Sequence, residues 1–209
     1  MTTRFWIIIV IILVVFGGVL VFHKNNTAKT AGTPTNNVEG EGKTGVKLVE
    51  YGDFECPYCG EYYPIVKQVA AQYNTQIFFQ FRNLPLTQIH PNAFAGARAA
   101  QAAALQGKFW QMHDLLYDNQ NQWVSSSNPE TLFVGYAQSL NLNVSQFQSD
   151  YASTSVNDTI QADIAAFAKT GQPEATPTFF LDGKHITPDP TVASFSQFID
   201  AAIKQKTGA

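Results

Sequence analysis

Apolar positions along the chain follow two different periods, and this pattern predicts a mixed α/β fold. Two short apolar runs, over residues 46–51 and 77–82, have the composition of mostly buried strands. Between them, apolar residues recur at helical spacing over residues 65–73. The pattern therefore predicts a strand–helix–strand unit, and open α/β sheets usually place a functional site at the carboxyl end of such a strand.

The C-terminal part of the chain supplies a matching second half. Asp182-Gly183, a strong hairpin signal, separates two short runs that predict strands over residues 178–181 and 184–186. Apolar residues at helical spacing over 195–203 then predict a final amphipathic helix. Between the two halves the pattern predicts five helices, over residues 92–105, 109–117, 129–140, 144–151 and 156–169. We expect these helices to cap one side of the site.

The only two cysteines of the chain stand together in Cys56-Pro57-Tyr58-Cys59, where the first strand gives way to a helix. A zinc site would need about four ligands, but there is no second pair and the histidines are scattered singly. A structural disulfide over a loop of about four residues would remove only roughly 2 kcal/mol of unfolded-state entropy. Inert buried thiols are disfavoured because Pro57 and Gly60 indicate a helix that begins near the surface. The spacing therefore favours redox chemistry.

The position of each cysteine predicts its role. Residues i and i+3 of a first helical turn lie close enough to form a disulfide without movement of the backbone. Cys56 is expected at the helix cap, where free backbone N–H groups and the helix dipole stabilise a thiolate. Such sites lower a cysteine pKa from about 8.5 to roughly 3.5 to 7.5. We therefore expect Cys56 to be the nucleophile and Cys59 to be the buried resolving thiol.

Glu50 is the one charged residue near the end of the first strand run, and two interpretations remain open. It is either a solvated charge at the strand end or a partly buried acid that relays a proton for Cys59. His90 and His113 each stand alone in helical segments, and we assign neither a catalytic role.

The two separated motifs resemble the thioredoxin superfamily: Cys56-Pro57-Tyr58-Cys59 follows a strand, and Thr176-Pro177 precedes a hairpin and a helix. The helical insert, with Ile89-His90-Pro91-Asn92-Ala93 at its start, is similar to that of the DsbA-like thiol–disulfide oxidoreductases. The resemblance covers roughly residues 46–204. It implies an α/β thioredoxin fold over residues 45–206, with an inserted helical subdomain at about 90–170.

The resemblance also implies roles for individual residues. Cys56 and Cys59 match the redox-active disulfide, and Glu50 matches the buried acid of the superfamily. Pro177 is expected to be cis and to face the cysteines, so that Pro57, Tyr58, Thr176 and Pro177 form the substrate-binding surface. Tyr58 departs from the histidine of the strongest oxidants, and Thr176 is shared with isomerase and reductase relatives. No metal or organic cofactor is implied.

Residues 1–24 are predicted to form an N-terminal membrane anchor. Residues 5–22 are uncharged and mostly Ile, Val, Leu and Phe, which fits a single transmembrane helix at the lower end of spanning length. A cleaved signal peptide is the alternative, although its apolar core is normally about 7 to 15 residues. Residues 25–44 are rich in Asn, Thr, Gly and Ala and predict a flexible linker. An oxidising compartment suits disulfide chemistry, so we expect the catalytic domain outside the cytoplasm, on the periplasmic or extracellular face.

These features predict a membrane-anchored dithiol oxidase that donates a disulfide to secreted or envelope proteins. By resemblance, a quinone-linked membrane protein of the DsbB or vitamin K epoxide reductase type would re-oxidise it. The net charge of −3 gives no basic face for nucleic acid. Two alternatives remain: a disulfide reductase or isomerase kept reduced by a membrane partner, and a non-catalytic peptide-binding module.

Overall fold

The computed structural model describes residues 32–208, and a five-stranded sheet forms its centre. The strands are β1 (Asn37–Glu39), β2 (Val46–Gly52), β3 (Ile77–Asn83), β4 (Thr178–Leu181) and β5 (Lys184–Ile186), in the order β1-β3-β2-β4-β5. β2 and β3 are parallel, and the other neighbouring pairs are antiparallel. The two strand runs and the hairpin predicted from the apolar pattern are confirmed.

Eight helices surround this sheet within residues 32–208. They are α1 (Pro57–Gln72), α2 (Ala93–Ala104), α3 (Phe109–Asp118), α4 (Gln120–Trp123), α5 (Pro129–Ser139), α6 (Val144–Tyr151), α7 (Thr154–Ala168) and α8 (Val192–Thr207). The five predicted insert helices are confirmed to within two residues at each end. The one-turn helix α4 was not predicted, because four residues are too few to show a helical period.

The alternation of side chains along β2 divides the core between the two faces of the sheet. Val46 and Leu48 pack with residues of α1 and α8, including Val69 and Phe195. Tyr51 points to the opposite face, where it packs against Phe167 and Phe180. Because side chains alternate along a strand, Glu50 lies on the same face as Leu48. A carboxylate is therefore carried into the interior beside α1.

The insert helices build their own core directly against the cysteine motif. Phe54, Cys56 and Cys59 belong to one buried cluster with Trp123 and Phe133 from the insert. Phe54 stacks on Phe81 of β3 with ring centroids 5.0 Å apart. The insert thus packs over the point at which β2 ends and α1 begins.

The prediction of a flexible linker over residues 25–44 is wrong for residues 32–44, the part that the structure describes. Residues 37–39 pair with β3, and the backbone N–H and the hydroxyl of Thr35 both donate to Asp163 of α7 at 2.8 Å. The partners lie as far as 128 positions away along the chain, so local composition contains no sign of them. The predicted anchor over residues 1–24 lies outside the described residues. Across residues 32–208, no helix has the length and apolar content needed to span a membrane.

Candidate active site

The cysteine motif occupies the junction between β2 and α1, as the sequence predicts. Cys56 is the N-cap residue of α1 with an extended backbone, and Pro57 is in the first helical turn. Both cysteines are free thiols, 4% and 0% exposed. Proline suits this position because its missing N–H would have no helical partner there. The two sulfurs are therefore carried on one turn of a helix whose start is fixed by proline.

The surroundings of Cys56 favour its thiolate and lower its pKa to about 6. The neighbouring Cys59 thiol is the largest cause; Thr176 and the backbone N–H groups of Cys59 and Tyr58 add to it, and burial opposes it. The Cys56 thiol also contacts the Thr176 carbonyl oxygen, with Sγ and O 3.4 Å apart. At neutral pH a thiol with this pKa is mostly ionised.

Cys59 has the opposite surroundings. Burial is the largest cause that raises its pKa well above the usual range, and the Cys56 sulfur and the Glu50 carboxylate add to the effect. One group acts in the other direction: the backbone N–H of Asp53 donates to Cys59 Sγ at 3.5 Å and lowers the pKa. Cys59 is thus held as a protonated thiol, and the Asp53 N–H is a fixed donor for the charge that it carries as a thiolate.

Glu50 is a buried acid and not a solvated strand-end charge. Glu50 is only 3% exposed, and burial raises the pKa of its carboxyl group to about 8. The residue lines a cavity of about 490 Å³ whose wall includes Tyr117, His113 and Lys67. A carboxyl with this pKa holds a proton at neutral pH and can release it to a nearby base.

A groove beside Cys56 contains three of the four predicted substrate-binding residues. Tyr58, Thr176 and Pro177 line a groove of about 260 Å³ together with Tyr62 and the turn after β5. The Thr176–Pro177 peptide bond is cis, as the resemblance implied. Tyr58 is 67% exposed. Pro57 is exposed at the helix start but is not part of the groove wall.

Two residues that hold the cysteine turn were not predicted from the sequence. Gln120 of α4 donates through Nε2 to the carbonyl oxygens of Phe54 and Cys56, at 2.8 and 3.0 Å. Asp53 accepts the backbone N–H of Cys56 on its carbonyl oxygen at 3.2 Å. The position of Asp53, three residues before Cys56, could have indicated a role for Asp53 at the site. Gln120 is 64 residues from Cys56, and nothing in the sequence links the two residues. Within the described part of the chain, no three His, Cys, Asp or Glu side chains converge as metal ligands.

Comparison with known proteins gives a family match over most of the chain. A family model described as thioredoxin matches residues 32–201. The Na(+)/H(+) antiporter NhaA 3 of Salinispora tropica is 40% identical over 149 residues, which are 71% of this chain and 22% of that protein. The Na(+)/H(+) antiporter NhaA 1 of Mycolicibacterium vanbaalenii is 37% identical over 150 residues, 71% of this chain and 23% of that protein. The chain thus spans about a fifth of the length of these curated relatives.

Solved structures match nearly the whole described region. A thioredoxin-like oxidoreductase from Silicibacter pomeroyi is 25% identical, with a TM-score of 0.62 over 80% of this chain and 91% of that one. BdbD from Bacillus subtilis is 20% identical, with a TM-score of 0.71 over 83% and 97% of the two chains. Wolbachia pipientis alpha-DsbA1 is 19% identical, with a TM-score of 0.71 over 83% and 94%. The predicted α/β thioredoxin fold is therefore confirmed, and its structural neighbours include DsbA-type oxidoreductases.

Proposed function

The chain belongs to the thioredoxin family, and we propose that it is a thiol–disulfide oxidoreductase that donates a disulfide to other proteins through Cys56 and Cys59. One observation carries the proposal: two thiols one helical turn apart have pKa values displaced in opposite directions. A structural pair of cysteines does not need this asymmetry. An exchange centre does, because one sulfur must be ionised and reactive while the other holds its proton.

The reaction begins with the oxidised pair. A substrate thiolate attacks Cys56 Sγ, so that a substrate–Cys56 bond forms as the Cys56–Cys59 bond breaks and Cys59 leaves as a thiolate. Glu50 supplies the proton that neutralises this buried thiolate. A second substrate thiolate then attacks the substrate sulfur and expels Cys56 as a thiolate. The substrate is oxidised by two electrons, and the enzyme is left reduced.

The pKa of Cys56 favours this direction over the reverse. A stabilised Cys56 thiolate makes the reduced enzyme more stable relative to the oxidised enzyme, and it is also a better leaving group. Its pKa of about 6 lies between the pKa of about 7 for the reactive cysteine of thioredoxin and that of about 3.5 for DsbA. We therefore infer that the pair acts as an oxidant. The groove of Tyr58, Thr176 and Pro177 is the surface on which an extended substrate segment would lie.

We place the reaction outside the cytoplasm, next to a membrane. Three arguments support this location: disulfides persist in oxidising compartments, residues 5–22 have the composition of a membrane anchor, and the curated relatives are named as antiporters, which exchange ions across membranes. The substrates would be reduced secreted or envelope proteins. A quinone-linked membrane protein of the DsbB or vitamin K epoxide reductase type would re-oxidise the pair. Re-oxidation of the reduced full chain by membrane vesicles, measured with and without quinone, tests that partner. A rate that does not depend on quinone contradicts it.

Disulfide transfer to a reduced, unfolded protein with two cysteines tests the activity itself. The oxidised full chain is expected to transfer one disulfide per molecule, and Cys56→Ser is expected to transfer none. Cys59→Ser is also expected to transfer none, because it cannot form the Cys56–Cys59 disulfide. Mixed with a substrate that already contains a disulfide, it should accumulate a Cys56–substrate mixed disulfide as the other substrate sulfur leaves as a thiolate, because its resolving thiol is missing. A Cys56→Ser variant that remains active overturns the proposal, and unchanged peptide binding without any exchange identifies a binding module instead.

A further inference from the structure

Asp53 joins both cysteines through its backbone. Its N–H donates to Cys59 Sγ at 3.5 Å, and its carbonyl oxygen accepts the N–H of Cys56 at 3.2 Å. Tyr117 also donates its hydroxyl to this carbonyl oxygen, at 3.4 Å. The Asp53 N–H is a fixed donor for the sulfur of Cys59, so the position of this one peptide unit controls how well a Cys59 thiolate is stabilised.

The side chain of Asp53 fixes that peptide unit to a different part of the chain. Oδ1 accepts the backbone N–H of Glu55 at 2.8 Å, and Oδ2 accepts the backbone N–H of Leu86 at 2.9 Å. His90 Nδ1 lies 2.7 Å from the same Oδ2. A carboxylate can only accept, so Nδ1 is the donor in this contact. The Asp53 side chain is fully buried and that of His90 is 15% exposed.

We propose that His90, acting through Asp53, is a positioning residue that holds the Asp53 amide against Cys59 Sγ. His90 supplies one of the two donors to Oδ2, and the other is the backbone of Leu86. Loss of the His90 donor leaves a buried carboxylate short of one partner, and such a group moves or admits water. Asp53 directly precedes the cysteine turn, so its movement draws the amide away from the sulfur.

The inference rests on the proposed function and concerns one step of it. When substrate attacks Cys56, the Cys56–Cys59 bond breaks and its electron pair goes to Cys59 as a buried thiolate. In the reverse step the Cys59 thiolate attacks Cys56 and expels the bound thiol. Both steps pass through charge on Cys59, which the Asp53 amide stabilises. Cys56 is stabilised mainly by other groups, namely Cys59, Thr176 and the N–H groups of its own helix.

The two steps separate when the reduced full chain is mixed with oxidised glutathione. The first phase depends on glutathione concentration and reports attack by Cys56, whereas the second is unimolecular and reports attack by Cys59 on the mixed disulfide. We expect His90→Ala to slow the second phase about threefold and to displace its pH profile to higher pH. This threefold factor has two parts. The population of Cys59 thiolate falls roughly tenfold, and the higher pKa makes the remaining thiolate more nucleophilic, which offsets part of the loss. The first phase should keep the unmutated rate.

Two variants separate positioning from general stability. His90→Asn retains an N–H donor and is expected to restore much of the second phase. Asp163→Asn alters a carboxylate that is also fully buried and also accepts several hydrogen bonds, but its partners are Thr35 and Asn83 instead of the cysteine turn. This control should lower stability and leave both phases unchanged. Equal slowing by His90→Ala and Asp163→Asn, or an unaltered second phase in His90→Ala, overturns the inference.

A second measurement needs no mutation, in case His90→Ala does not fold. NMR signals of the Asp53 amide and the His90 ring nitrogens should both change at the pH at which Cys59 titrates in the reduced protein. A His90 signal that does not change as Cys59 titrates contradicts the proposed link between His90 and Cys59. If the unmutated chain fails to react with glutathione at all, the proposed function fails; if it reacts and only the His90 variants behave as unmutated protein, the positioning role alone fails.

Discussion

Cys56 and Cys59 are three positions apart, yet the chain gives their sulfurs opposite surroundings. Cys56 is at the open end of α1, where backbone N–H groups and Thr176 surround it. Cys59 is one turn further into the helix, where burial and the nearby Glu50 carboxylate oppose its charge. Because the pKa of Cys56 is lowered from 9.0 to about 6, its thiolate stabilises the reduced protein fully above about pH 9, and this stabilisation declines as the pH falls and is gone below about 6. Position along the helix, burial and the neighbours Thr176 and Glu50 together separate the two roles.

Glu50 provides a pH test at the scale of a single residue. Its pKa is raised from 4.5 to about 8, so the folded state favours the protonated acid, and stability is lost as pH rises from 4.5 through 8. Glu50→Gln cannot ionise, so it should be more stable than the unmutated protein at pH 8, by on the order of 4 kcal/mol, and nearly equal to it at pH 4. Urea unfolding of the oxidised protein at both pH values measures the difference.

An exposed glutamate is the matched control for this test. Glu41 is 58% exposed at its side chain and pairs with Lys43 at the surface. Glu41→Gln should change the free energy of unfolding by less than about 1 kcal/mol at either pH. If Glu50→Gln gives the same change at pH 4 and pH 8, Glu50 is not the buried acid described above.

The end of β2 illustrates how elements position the site. Gly52 is the last residue of this strand, and a Cβ at this position would lie 2.5 Å from the Phe81 ring and 3.2 Å from Glu50 Oε1. Phe81 is fully buried between the sheet and the insert and cannot move freely. The missing side chain at Gly52 therefore lets Phe81 and Glu50 pack side by side below the cysteine turn.

Gly52→Ala is expected to destabilise the fold by about 1 to 3 kcal/mol, because the added methyl group overpacks the core. Gly135 of α5 is the control, since a Cβ there meets nothing within 4 Å. Gly135→Ala should be neutral or stabilising by up to about 1 kcal/mol, as expected for a helix interior. Urea unfolding measures both variants. Equal effects at the two glycines would show that packing at the strand end is looser than described.

The contact of α4 with the cysteine turn gives a second test at the element scale. Gln120→Glu keeps the size of the side chain and replaces the Nε2 donor to the Phe54 and Cys56 carbonyl oxygens with an acceptor. We expect a loss of about 1 to 3 kcal/mol in the free energy of unfolding. Gln122→Glu on the same helix is the control, because Gln122 is exposed and bonds only to Asn119 among the described contacts. Thermal unfolding that ranks the two variants equally contradicts the bracing role of α4.

Local pattern was enough to predict most elements, and the failures have a common physical cause. β2, β3 and the hairpin have apolar runs or an Asp-Gly turn, so their signals are contained in a few neighbouring residues. β1 contains one apolar residue, Val38, and depends on pairing with β3. The contacts of Gln120 and His90 likewise depend on tertiary structure. The chemistry of the two cysteines on one helical turn could thus be predicted, whereas the hydrogen bonds from Gln120 and His90 that hold this turn could not.

At the scale of the whole molecule, the sheet and the helical insert both contribute to the site at the junction of β2 and α1. The sheet delivers Glu50 and the cis Thr176–Pro177 loop, α1 delivers the two cysteines, and the insert packs over the turn between them. The segment before β1 is fastened to α7 through Thr35 and Asp163. The arrangement leaves Cys56 next to a groove and keeps Cys59 inside.

The reduction potential of the Cys56–Cys59 pair tests the central claim most directly. The full chain is equilibrated with defined ratios of reduced and oxidised glutathione, and the fraction of each form is measured. Disulfide donation predicts a potential nearer to about −120 mV, as in DsbA, than to about −270 mV, as in thioredoxin. A value near −270 mV would show that the reduced pair is the better electron donor, and the protein would then be a reductase.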